Sequence, residues 1–207
     1  MLKLTGTALL ATTTPEYKAI EAHYDNRKEC AKRSGVAKIN HIDEGLLILE
    51  ELRADIITMR AWCLHPMLQM DDDIAKAFNP EYHPELWTFD WQAVALAIEY
   101  RHCANLYLCR PETDMYGYPD LPNIPLDQVH NMLIADKVQN RKDFITYHKG
   151  THDRSEQLDC YFEMWLRHLD ISETYYEKLC EMIDDAKNHE LIKTDGYKLS
   201  VQVGLLK

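Results

Sequence analysis

Apolar residues recur at intervals of three and four along most of this chain, a period that permits a body of packed helices and little else. Thr14-Pro15-Glu16 reads as a cap followed by proline in a first turn, opening a helix from Pro15 to Ala31 that Lys32-Arg33-Ser34-Gly35 breaks. His41 to Leu52 carries Leu46, Leu49 and Leu52 on one stripe. Asp55 is placed to cap the next helix, whose apolar face is Met59, Trp62 and Cys63 and which should stop at Pro66. Trp91 to Leu108 turns Val94, Ala97, Ile98 and Ala104 inward; Leu126 to Phe144, Ser155 to Leu169 and a last helix opened by Ser172 complete the set. Asn79 to Trp91, with Pro80 and Pro84, reads as a connection, and Arg110 to Pro125 as the one long loop. Only at the ends does the period change: Leu2 to Thr5 and Tyr197 to Val203 alternate as half-buried strands do. The expected fold is an all-α helical bundle, one domain over 1–207 with its core at about 16–189, bearing a minor β appendage from the chain termini.

Composition narrows the function. A chain of 207 residues can bury a core without disulfides or metals, and seven glycines with eight prolines are too few for a turn-rich β-sandwich. A net charge of −11 argues against a nucleic-acid coat or an anionic membrane surface, both of which need a basic field. It leaves room for a small anion held by a few local cations. No apolar run approaches the roughly 18 residues of a membrane span, and Met1 to Pro15 lacks the apolar core of a secretion signal. Cys30, Cys63, Cys103, Cys109, Cys160 and Cys180 form no CxxC pair and read as buried, reduced thiols of a cytoplasmic protein.

Polar residues that interrupt apolar stripes mark the candidate site. Val129, Met132, Leu133, Asp136 and Asn140 share one helical face, which puts a carboxylate and an amide toward the core. A buried carboxylate needs a cation, a metal or a hydrogen-bond network opposite it. An internal ion pair with Lys137, Arg101 or Arg141 would serve. So would a metal, because His41 and His65 stand at adjoining helix ends, and imidazole with carboxylate suits zinc, manganese or iron. Lys32, Arg33 and Lys38 form a cationic patch able to contact phosphate or a base, or simply a solvated loop. Asp71-Asp72-Asp73 fits the first turn of a helix better than a calcium loop.

Three segments carry a family resemblance. KRSGVAKINH, Lys32 to His41, resembles the RKSGxPYINH segment of RelA/SpoT-type hydrolase domains, a branch of the HD superfamily. TMRAWCLHPMLQM, Thr58 to Met70, resembles TLxAALLHDxxED, and LIADKVQN, Leu133 to Asn140, resembles KLADKLxN. The matches are in order over about residues 20 to 145, and Arg154 with Tyr161-Phe162 resembles the R…YF stretch that follows. The chain is also similar to small proteins of this type in tailed bacteriophages, with the same HP form. The resemblance implies an HD-domain-like helical fold with a nucleotide pocket. Carried over, His41, His65 and Asp136 stand at metal-ligand positions for one divalent ion, Lys32 and Arg33 at base- and phosphate-contacting positions, and Asn140 at a sugar or phosphate contact. Lys38 replaces a tyrosine and adds a cation.

The departures fall on the catalytic side. Pro66 replaces a ligating aspartate, and Gln69-Met70 replaces the Glu-Asp pair that positions the attacking water; neither is a general base. The leading expectation is therefore a protein that binds or sequesters a small phosphorylated nucleotide, an alarmone or a defence signal, in the cytoplasm of a phage-infected host. The alternatives are a metal-dependent phosphohydrolase in which Asp71, Asp72 or Asp73 replaces the lost acid, and a helical interaction protein using the loop around Tyr116 and Tyr118. Oligomerisation is left open.

Overall fold

Side-chain caps fix where several helices begin. The Thr14 hydroxyl accepts a hydrogen bond from the Tyr17 N–H at 3.4 Å, with Pro15 in the first turn. The Asp55 carboxylate accepts from both the N–H and the hydroxyl of Thr58, at 2.7 and 2.8 Å. The Ser172 hydroxyl accepts from the Tyr175 N–H at 3.2 Å. The computed structural model describes residues 4–25, 28–31, 34–79, 81, 88–108, 121–151 and 153–183, without the side chains of 106–108. Among these residues are nine helices: α1 (Gly6–Ala11), α2 (Pro15–His23), α3 (Ile39–Glu51), α4 (Ile56–Leu64), α5 (Asp71–Ala77), α6 (Trp91–Leu108), α7 (Asp127–Asp143), α8 (Ser155–His168) and α9 (Glu173–Ile183). The described body is all-α. The expected β pairing falls on residues outside the described set, apart from Leu4 and Thr5, which lead into α1 in irregular backbone. No described helix is long and apolar enough to cross a membrane.

Three expectations need correction. α2 ends at His23 rather than Ala31, because Asp25 takes a left-handed φ of 47° that a helix cannot continue through. α4 does stop before Pro66, at Leu64, and His65–Leu68 then tightens into a 3₁₀ turn with Pro66 in its first positions, where a proline's missing N–H costs nothing. Ile98 is 37% exposed, and Tyr100 and Cys103 take the inward face instead. The thiols are not uniformly buried: Cys63 and Cys103 are, Cys30 and Cys180 are half-buried, and Cys160 is exposed.

The buried apolar residues form one continuous cluster. α4 packs against α1, α2, α3, α6 and α7, while α7 packs against α3, α4, α6, α8 and α9. α3 and α4 approach closely because Gly45 has no side chain. A β-carbon there would lie 2.1 Å from the Trp62 ring. Trp62 is fully buried and donates its indole N–H to the Ile42 carbonyl at 3.0 Å. After α7 the helix widens into a π turn, Phe144–His148, closed by the Lys149 N–H on the Phe144 carbonyl at 2.8 Å. π turns often accompany functional sites, and this one borders the main cavity.

Candidate functional site

His41 lies in the first turn of α3, His65 at the start of the 3₁₀ turn after α4, and Asp136 in the middle of α7. The packing of those elements brings one ligand atom from each within 4.8 Å of the others, a group that could hold a metal ion. The three residues singled out from sequence therefore meet. Trp62 sets both rings, with centroids 4.2 Å from His65 and 4.9 Å from His41.

The hydrogen bonds behind the rings decide what faces forward. His65 Nδ1 lies 2.6 Å from the Trp62 carbonyl, which can only accept, so Nδ1 carries the proton. His41 Nδ1 lies 2.6 Å from Gln139 Oε1. The Gln139 amide N–H₂ is committed to the carboxylates of Glu44 and Asp143 at 3.0 and 2.9 Å, which makes Oε1 the acceptor and His41 Nδ1 the donor. With both rings neutral, each would present a bare Nε2, and the two Nε2 atoms are 3.1 Å apart. Facing lone pairs at that distance repel unless a proton or a metal ion lies against them. Nitrogens ~2.1 Å from a shared ion would be about 3.0–3.4 Å apart, so the donor set fits one. A second ring nitrogen held by an amide or carbonyl is the usual support of a ligating histidine.

Asp136 completes the group, with Oδ1 3.7 Å from His41 Nε2. It is 6% exposed and heavily engaged. Oδ1 accepts from the Asn140 amide at 2.7 Å, Oδ2 from the Lys137 ammonium at 2.7 Å, and the Tyr100 hydroxyl donates to the same carboxylate. Burial alone would raise the Asp136 pKa, but Lys137 and then the two imidazoles overcome it and hold the carboxyl below its usual value. Of the three cations considered for Asp136, Lys137 is its partner. Arg101 instead pairs with Asp71, and Arg141 with Glu173 at 3.0 Å. Burial disfavours the Lys137 charge, yet Asp136 and Tyr161 more than compensate and raise its pKa. Burial, with a contribution from His41, pushes His65 down to about 3.

The cluster opens onto a cavity of about 700 Å³. Its lining includes polar residues, among them Asn40, Lys38 and Asn140, and aromatic ones, among them Phe144, Tyr161 and Phe162. Its wall also holds the buried Asn40 Oδ1, which has no protein partner. Lys38 is exposed and paired with Glu29, while Lys32 and Arg33 lie outside the described residues, as do Tyr116 and Tyr118. Gln69 reaches the wall but gives its amide N–H₂ to Asn105, and Met70 is 55% exposed. Of the three aspartates, Asp71 points away to Arg101 and only Asp73 lines the cavity, where it accepts from the Met70 N–H at 3.2 Å as part of the α5 cap.

Gln139, Tyr100 and Gly45 escaped the stripe reading, and Lys137 entered it only as an ion-pair partner. For Gln139 and Lys137 the reason lies in α7, where Leu133 to Gln139 are all buried. A helix enclosed on every side has no single face to read. An unbroken run of buried positions carrying Asp, Lys and Gln is the signal that was available. Comparison with protein-family models, with curated proteins and with solved structures finds no match to the chain.

Proposed function

We propose that this protein binds a small phosphorylated nucleotide over a divalent metal at His41, His65 and Asp136 and releases it unchanged. The observation that carries the reading is an asymmetry within one cavity. Three ligand atoms converge with their tautomers set, while the positions that should activate water hold Gln69, tied to Asn105, and Met70, turned to solvent. Neither can take a proton from water. Bound there, manganese, iron or zinc would supply a Lewis-acidic anchor for phosphate oxygens. Asn140 and Lys38 line the same cavity and would contact a sugar or phosphate, and its aromatic lining residues offer a face for a stacked base. The resemblance to RelA/SpoT-type HD domains and their phage relatives supports an alarmone or defence signal as ligand and the host cytoplasm as the setting.

The test is incubation of manganese-loaded protein with a nucleotide panel, followed by mass spectrometry of retained and released species. A phosphorylated nucleotide retained at micromolar concentration and recovered intact is expected, with Asp136→Asn retaining far less. No retained nucleotide would sink the reading. A second reading, a working phosphohydrolase, draws on the place of Asp73 at the cavity wall. Product formation that Asp73→Asn abolishes would favour it.

A further inference from the structure

Asp136 is the one carboxylate in the His41–His65–Asp136 cluster, and its charge is already balanced. Lys137 Nζ sits 2.7 Å from Oδ2 and is held in place on its other sides. The Tyr161 hydroxyl lies 3.0 Å from the ammonium, and the Trp165 ring centroid 4.9 Å. Lys137 is 2% exposed, so its charge is not dispersed into solvent. As ligands the two imidazoles must be deprotonated, so to a bound ion they would bring lone pairs and no charge. Pro66, next to His65, brings neither. In its ligating form, with both rings deprotonated, the cluster with its lysine is therefore neutral apart from the ion.

A divalent ion placed there alone would leave two positive charges uncompensated in a buried site, because Lys137 already cancels the one carboxylate and cannot move away. Other described charges on the cavity wall are largely engaged. Lys38 pairs with Glu29, Asp143 shares Lys142 with the nearer Glu44, and Asp73 caps α5 from a half-exposed position. A phosphate group carries about two negative charges at neutral pH.

We infer that Lys137 makes metal uptake conditional on an anion: the centre takes its divalent ion together with a phosphate-bearing ligand and binds the bare ion poorly. This rests on the metal-centre reading above and adds to it a rule of admission. Coupling of this kind is reciprocal, so the ion strengthens phosphate binding by the factor with which phosphate strengthens ion binding.

The experiment titrates metal-free protein with Mn²⁺, following the free ion by electron paramagnetic resonance, with and without inorganic phosphate. Phosphate should tighten Mn²⁺ binding at least about tenfold, within the usual range of coupling between sites. Lys137→Met should bind Mn²⁺ about tenfold more tightly than the parent without phosphate and lose most of the phosphate effect, whereas Lys137→Arg should keep it. Circular dichroism establishes that each variant is folded. Mn²⁺ affinity indifferent to phosphate, no Mn²⁺ binding in either condition, or a folded Lys137→Met that binds no more tightly would each overturn the inference. If Lys137→Met does not fold, the parent titration decides alone. No nucleotide is used, so a protein that retains none from the panel can still show the coupling. One that binds nucleotide without the coupling overturns the inference alone.

Discussion

His65 cannot take up a proton and remain where it is. In the metal-free protein its pKa falls from the ordinary 6.5 to about 3, chiefly because burial opposes the charge. The unfolded chain takes the proton below 6.5 and the folded one does not. Stability is thus complete above pH 6.5 and is lost as pH falls toward 3, and the depressed Asp136 adds a loss of the same sign at the acid end. Urea midpoints measured from pH 7.5 downward should fall for the parent and fall less for His65→Gln. Parallel curves would contradict this. At this scale His41, His65 and Asp136 are legible in the sequence, since polar residues at helix ends and on apolar stripes stand out. Gln139 is not: its importance comes from the His41 ring across from it on another helix, 98 positions away.

Caps and close approaches belong to the scale of the element. Asp55→Ala removes the acceptor of two hydrogen bonds at the start of α4 and should cost about 1 kcal/mol by thermal or urea unfolding. Gly45→Ala drives a methyl group into Trp62, with an expected loss of about 1–3 kcal/mol from overpacking. Because Trp62 sets both histidine rings, the same variant should weaken Mn²⁺ binding measured with phosphate present, which a cap variant such as Asp55→Ala should not. The caps were readable because Thr14, Asp55 and Ser172 act on residues three further along. The early end of α2 and the π turn after α7 were not, because apolar spacing does not report the left-handed φ of Asp25 or a single widened turn.

Across the whole molecule, the period of apolar residues conveys that the body is helical but not which helices meet. Those pairings are made by contacts far apart in sequence, and polar ones take part. Glu44 on α3 and Lys142 on α7 form a buried ion pair at 2.6 Å, with Gln139 and Asp143 beside it. Burial pulls the Glu44 pKa up, and Lys142 works against that. Lys142→Met strands the Glu44 carboxylate and should cost about 3–5 kcal/mol in unfolding measurements, while adding Glu44→Gln should recover part of the loss. Gln139 bonds to Glu44 at its back and to His41 at its front, so the rear of the cluster is also the seam between α3 and α7. Folding alone needs that seam, whatever the cavity holds. A lineage drifting away from its ligand would surrender His41 and His65 first and keep Glu44, Gln139 and Lys142 longest, so that the scaffold of the centre outlives its use.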